Sequence, residues 1–366
     1  MIPSGDFSLD LSTLGEFGLI GRIRERTSQR WPQVLLGIGG DAAAFRPSQG
    51  FVLLATTDLL LEGIHFFPGL PSYHLLGKKS LAVNISDIAA MGGIPRLALV
   101  SLALSPKQTV ESVDALYAGM EEEASEYGVS IVGGDTSLSP GPLLVSVTLL
   151  GEAREDQWIS RSGAKAGDAL MVTGSLGGSA AGLEGIRAAL ATDPEGIRGR
   201  PPRCWKRFQG LSPVLQEALQ EAVNVHFLPV PRVREGQLLA RERWANGMID
   251  LSDGLSSDLC HLCEESHAGA VIWEEKIPIS PCAKLVAQAL GEDALRFATQ
   301  GGEDYELLFA TSAPDQVAEA FREAGLAPVT RIGEVLAEPD QVSLLRRDGT
   351  LWPMKGGFDH FRTQSH

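Results

Sequence analysis

Six aspartates in this chain stand where a backbone can bend closely around an ion. They are Asp41 in "GIGGDA", Asp58 in "ATTDLL", Asp87 in "NISDIAAMGG", Asp135 in "VGGDTS", and Asp250 and Asp253 in "IDLSDG". Carboxylate oxygens in such settings suit a hard cation, and Thr57, Thr136 and Ser252 could add hydroxyl oxygens. Mg²⁺ keeps near-octahedral oxygen coordination and partners with substrate phosphates, so the set points to phosphate chemistry carried out through metal. For any one of these residues the alternative is an ordinary N-cap or turn. Asp253 before "GLSSDL" and Asp135 in "GGDTS" suit those places. Composition leaves both readings open.

The other candidate motifs are weaker. "LGIGGDA" (residues 36–42) fits the G-x-G-x-x-A pattern of a dinucleotide turn, but Asp41 puts a negative charge where a bare phosphate would sit. "VTGSLGGSAAG" reads as strand, glycine loop and helix, yet no Lys follows Gly178 as a phosphate-binding loop requires. Close packing through small residues is the expectation there. Lys78-Lys79 is expected to be a solvated pair, and His65 in "EGIHFF" a core histidine. Cys260-His-Leu-Cys263 has no second pair at zinc-ribbon spacing and falls in a helical stretch, so it is expected to be structural. No G-x-S-x-G elbow anchors hydrolase chemistry.

These residues need elements to hold them. The 366 residues, 44% hydrophobic and 21% charged, can bury a full core and suggest two domains. A helix is expected at residues 16–26, strands at 34–45 and 51–66, and a helix at 73–95. A strand (96–105), a helix (109–128) and two strands (129–134 and 142–153) follow. The order is mixed α/β without strict βαβ alternation. "REDQWISRSGAKAGD" marks a boundary, giving domains 1–152 and 153–366. The second opens with strand "ALMVTG" and continues as α/β, with residues 191–209 read as a loop or insertion. A net charge of −15 argues against nucleic acid and anionic membrane surfaces as partners. No 18-residue uncharged apolar run and no secretory pattern occur, so a cytoplasmic protein without membrane spans is expected. Four cysteines in this length are no disulfide framework.

In chain order, "GIGGDAAAF", "TTDLLLEGIHF", "KSLAVNISDIAAMGGIP", "VGGDTS", "SRSGAKAGDALMVTGSLGGSAAGL", "PVPRV", "IDLSDGLSSDL", "GGEDYELLF" and "GGFDHF" resemble the thiamine-monophosphate kinase family, within the aminoimidazole ribonucleotide synthetase superfamily. The resemblance runs from about Gly15 to Phe361. It implies a two-domain α/β (mixed α+β) fold, in which 1–152 binds metal and ATP and dimerises while 153–366 completes an active-site cleft. It implies ATP-dependent phosphorylation of thiamine monophosphate to thiamine diphosphate, with several Mg²⁺ ions around the ATP phosphates and a homodimer as the working form. Carried over motif by motif, Asp41, Thr56, Thr57, Asp58, Asp87, Asp135, Asp250 and Asp253 would be metal ligands. Gly134, Asp135, Arg161 and Ser252 would touch ATP, and His65, Glu303 and Phe358 would meet thiamine monophosphate. No general base is nominated, because an acceptor phosphate ionised at neutral pH needs little help. Two departures stand out: Gly40 replaces an expected carboxylate, and residues 191–225 look longer than the family pattern. Another acceptor within the superfamily, or a nucleotide-binding protein without turnover, are the competing readings.

Overall fold

The computed structural model describes residues 19, 21–28, 30–36, 44–195, 197, 202, 205–339 and 341–354. Gly40, Asp41, Cys204 and Phe358 therefore lie outside the described residues. Contacts divide the chain into two compact units, Met1–Ile85 with Pro95–Glu152, and Ser86–Ile94 with Ala153–His366.

The first unit is built on four strands, β3 (Phe51–Leu61), β4 (Ile94–Leu104), β5 (Ser130–Leu138) and β6 (Leu144–Arg154), in the order β3-β6-β4-β5. Strands β1 (Val34–Leu36) and β2 (Ala44–Phe45) form a separate antiparallel pair. Helix α1 (Tyr73–Ala90) ends where the Gly92 and Gly93 amides turn back onto Ala89 O and Ile88 O. Helix α2 (Val110–Tyr127) starts at a capping box between Thr109 and Ser112 and stops at Gly128, which adopts φ 71°. The two helices cross with their backbones almost touching. A Cβ on Gly77 would lie 2.0 Å from Leu116 O, and one on Gly119 would lie 1.9 Å from His74 O.

That crossing corrects the expectation for the lysine pair. Lys78 is held by Glu122 at 2.8 Å and Glu123 at 3.5 Å, and Lys79 is 1% exposed. A second difference concerns β5. The glycines do not end it at residue 134; parallel pairing with β4 continues through Ser101↔Asp135 to Leu104↔Leu138. Ladder hydrogen bonds to β4 outweigh the poor strand propensity of Gly, Asp and Ser. Asp135 therefore stands on a strand and not in a turn.

The second unit carries a seven-stranded sheet in the order β13-β12-β9-β11-β7-β10-β8. Its strands are β7 (Ala169–Thr173), β8 (Gly247–Asp250), β9 (Gly269–Trp273), β10 (Leu307–Thr311), β11 (Val329–Leu336), β12 (Val342–Leu345) and β13 (Leu351–Pro353). On β7, Leu170 and Val172 face one buried cluster while Ala169 and Met171 face another. Helices on both faces explain why its central strands read as unbroken apolar runs. The helices are α3 (Gly178–Thr192), α4 (Pro213–Phe227), α5 (Val233–Glu242), α6 (Leu255–Ser266), α7 (Pro281–Leu290), α8 (Ala294–Gln300) and α9 (Pro314–Glu323). Within the segment that looked longer than the family pattern, residues from 213 onward are helical. Cys260 and Cys263 lie on α6 as free thiols, with burial pushing Cys263 up to about 12.

Candidate active site

In the first unit the assigned residues fall on strands at opposite ends of the sheet. Thr56, Thr57 and Asp58 are on β3; Gly134 and Asp135 are on β5. Three strand spacings separate them, about 14 Å, so this sheet does not bring Asp58 and Asp135 together. Asp58 sits where an edge strand would leave an amide unpaired. Its N–H instead donates to Asn84 Oδ1 at 3.1 Å, and Asn84 is anchored to Ser80 O at 3.0 Å. The Thr57 hydroxyl donates to Val147 O at 3.1 Å. Gly134 is required by close approach, since a Cβ there would lie 1.8 Å from Val100 O. The register shift between Ala98 and Leu99 places a bulge just before Gly133.

His65 is not the core residue expected from its apolar neighbours. It is half-buried, and its Nδ1 accepts from Leu61 N at 3.0 Å. A backbone amide can only donate, so in the neutral ring Nε2 carries the proton.

In the second unit two loops run side by side. Leu251 N donates to Glu306 O, Tyr305 N to Leu251 O, and Glu303 N to Ser252 O, each at 2.8–2.9 Å. The "IDLSDG" and "GGEDYE" stretches are thus joined, and Ser252 and Asp253 come beside Glu303. The joint leaves no room for side chains, as a Cβ on Gly302 would lie 2.4 Å from Ser252 O. Glu303 and Tyr305 both have positive φ, 65° and 50°. Non-glycine residues rarely adopt that conformation, and where they do they cluster at functional sites.

Asp250 ends β8 and is buried, and the buried Ser86 hydroxyl donates to its Oδ2 at 2.6 Å. Ser86 is on α1, and Asp87 is the next residue along that helix. Asp258 is a neighbour that motif reading passed over. Its Oδ2 accepts from Asp253 N at 3.2 Å and Gly254 N at 3.1 Å. Burial, then the charges of Asp250 and Asp253, push its carboxyl up to about 8 against the pull of those amides. Among the described residues no three His, Cys or carboxylate side chains gather closely enough to hold a metal ion. The donor chemistry still fits Mg²⁺, because Asp250, Asp253, Asp258 and Ser252 offer only hard oxygens and crowd negative charge that a cation would relieve. The Arg161 backbone packs against Gly247, at the other end of β8 from Asp250, about 10 Å along the strand. Its side chain is exposed.

The glycine loop proves to be an anion site that the chain fills itself. Asp304 Oδ2 accepts from Gly177 N at 2.7 Å and Oδ1 from Ser179 N at 3.3 Å, at the start of α3. Burial raises the Asp304 carboxyl to about 7 despite those amides. The small residues behind the loop serve packing of helix on helix: a Cβ on Gly182 would lie 2.2 Å from Ala222 O. Glu306 is held by Arg232 through Nε–Oε2 and Nη2–Oε1 contacts of 2.6 and 2.5 Å, and by the Thr173 hydroxyl at 2.6 Å. Sequence reading missed Ser86, Ser179, His226, Arg232, Asp258, Asp304 and Glu306 as site-building residues. All but His226 lay within motifs already singled out; His226 carried no local signal.

Residues 39–153 match the family model for the AIR synthase related protein N-terminal domain, and residues 165–345 that for its C-terminal domain. The thiamine-monophosphate kinase of Bacillus subtilis is 36% identical over 352 residues, covering 95% of this chain and all of that protein. The crystal structure of thiamine-monophosphate kinase from Stenotrophomonas maltophilia is 33% identical, covering 92% of this chain and 98% of that one with a TM-score of 0.76. AaThiL complexed with AMPPCP and TMP is 31% identical, covering 97% of this chain and 100% of that one with a TM-score of 0.71.

Proposed function

The chain belongs to the thiamine-monophosphate kinase family, and from that premise we propose that it transfers the terminal phosphoryl group of ATP to thiamine monophosphate, giving thiamine diphosphate and ADP. The observation that carries the reading is the joint between Glu303 N and Ser252 O at 2.8 Å. It ties the residue assigned to ATP directly to the residue assigned to the acceptor. Two substrates recognised across one hydrogen bond suit direct in-line transfer.

An oxygen of the acceptor phosphate forms the new bond to the γ-phosphorus as the bond to the β–γ bridging oxygen breaks, and ADP leaves. The acceptor phosphate has its second pKa near 6, so it enters largely ionised and no side chain need take a proton. The difficulty is that two polyanions must meet. Magnesium supplies charge neutralisation and alignment when bound, and Asp41, Thr56, Thr57, Asp58, Asp87, Asp135, Asp250 and Asp253 are the residues that would hold it. Gly134 and Ser252 would touch the nucleotide, and Arg161 offers a guanidinium fork to phosphate oxygens. His65, Glu303 and Phe358 would meet thiamine monophosphate.

We read the working form as a cytoplasmic homodimer built on the four-stranded sheet. Its end strands carry Leu53 and Leu59 on β3 and Leu138 on β5, the last 73% exposed. A second copy would cover that apolar surface. Among the described residues no helix is long and apolar enough to cross a membrane.

The test is formation of thiamine diphosphate from ATP, Mg²⁺ and thiamine monophosphate, run beside other phosphorylated acceptors and followed also by ADP release. Product with thiamine monophosphate, lost in Asp58→Asn, is the expected outcome. ADP release with a different acceptor only, or nucleotide binding without ADP release, would overturn the reading.

A further inference from the structure

We propose that His226 is a positioning residue for the acceptor, holding the Glu303 carboxylate in the orientation in which it meets thiamine monophosphate. The inference rests on the acceptor role given to Glu303 above. The Glu303 main chain is fixed by the amide bond to Ser252 O and by its left-handed conformation. That leaves the direction of a long, rotatable side chain to be set. Only a group placed against the carboxylate can do so.

His226 is such a group. Its Nδ1 lies 3.2 Å from Glu303 Oε2 and 3.0 Å from Ser179 Oγ. The ring is 3% exposed and packs against Phe227 with centroids 5.2 Å apart, so its own position is fixed. Helix α4 carries His226, and α3 carries Ser179, which is 1% exposed. The two helices are locked together where Gly182 meets the Ala222 carbonyl. A rigid two-helix frame therefore ends in one imidazole nitrogen aimed at one carboxylate oxygen.

An ionised carboxylate only accepts, so a hydrogen bond to Oε2 is made by the tautomer that carries its proton on Nδ1, in which Ser179 Oγ, 3.0 Å from the same nitrogen, is a second acceptor facing that N–H. With one oxygen held, the face that Glu303 turns to a ligand is set before the ligand arrives. Thiamine offers a thiazolium cation and an aminopyrimidine N–H₂, and a pre-oriented carboxylate serves either. Nothing in "NVHFLPV" marks His226 in the sequence.

The role is tested by steady-state kinetics on the full chain with His226→Phe, which keeps a ring beside Phe227 but removes the donor, and His226→Asn, which restores a donor near the Nδ1 position. His226→Phe is expected to raise KM for thiamine monophosphate about tenfold, the effect of losing one charge-assisted hydrogen bond. Its KM for ATP and its kcat should stay within about twofold, and His226→Asn should recover most of the loss. In a Glu303→Ala background His226→Phe should have little further effect, because a group acting through the Glu303 side chain has nothing left to position. Equal kinetics of the parent and His226→Phe would overturn the proposal, as would effects that simply add to those of Glu303→Ala. If His226→Phe does not fold, the same non-additivity is read from His226→Leu against Glu303→Ala. A parent that turns over another acceptor, or none, would instead overturn the proposed function.

Discussion

Removing the Arg232 guanidinium should cost more stability than almost any other single surface-reaching side chain in the second unit. Glu306 is 5% exposed and its carboxylate is shared between Arg232, by two contacts of 2.5 and 2.6 Å, and the Thr173 hydroxyl at 2.6 Å. It has no space to turn away, because a Cβ on Gly174 would already lie 2.0 Å from Oε1. Arg232→Met would leave a buried charge with one hydroxyl donor. Breaking a buried pair from one side costs about 3–5 kcal/mol. Arg232 keeps 22% of its side chain exposed, so water can partly replace it and about 3 kcal/mol is the better figure. For a unit of this size that lowers the unfolding midpoint by about 6–12 °C. Urea and thermal unfolding would measure it, with Arg232→Met/Glu306→Leu as the companion. The double variant removes both charges and should recover about 2 kcal/mol of the loss. Arg232→Met within about 1 kcal/mol of the parent, or a double variant no more stable than the single one, would refute the argument.

Gly134→Ala must push β5 away from the Val100 carbonyl, which a Cβ would approach to 1.8 Å. A loss of about 1–3 kcal/mol in urea unfolding is expected, and unchanged stability would contradict the close approach. Asp304 is raised by burial from an ordinary 3.8 to about 7, so between those values the folded state holds a proton that the unfolded state has released. Its contribution to stability is complete below pH 3.8 and is lost as pH rises through 7. Asp304→Asn should therefore flatten the fall in stability between pH 4 and 7, and parallel curves for parent and variant would count against it. Leu138→Lys on the end strand β5 should shift the chain towards a monomer in sedimentation or light scattering; an unchanged mass would remove β5 from the proposed dimer surface.

Much of the element order is legible in the sequence because local rules decide it. Thr109 and Gly128 frame α2, Gly92 and Gly93 close α1, and apolar runs mark the strands. Chain order also carries the motifs that identify the family, since "IDLSDG" and "GGEDYEL" are contiguous. The misreadings share one cause. Lys78 looks like a solvated lysine until the Gly77 and Gly119 crossing brings Glu122 and Glu123 to it, and the second half of β5 looks like a turn until β4 pairs with it. The glycine loop is packed through small residues as expected, but that Asp304, more than 120 residues away, caps its amides is not legible in the sequence.

What the sequence determines alone is therefore the inventory: which carboxylates exist, which turns present them, and which family they resemble. Only tertiary structure decides which of them meet. Ser86 reaches Asp250 across 164 positions, Glu303 is joined to Ser252, and His226 is brought to Glu303. Hydrogen bonds and buried charge act over about 3 Å, while the residues concerned are separated by many tens of positions along the chain. No local pattern can encode such a meeting, because packing of the intervening helices and strands sets it.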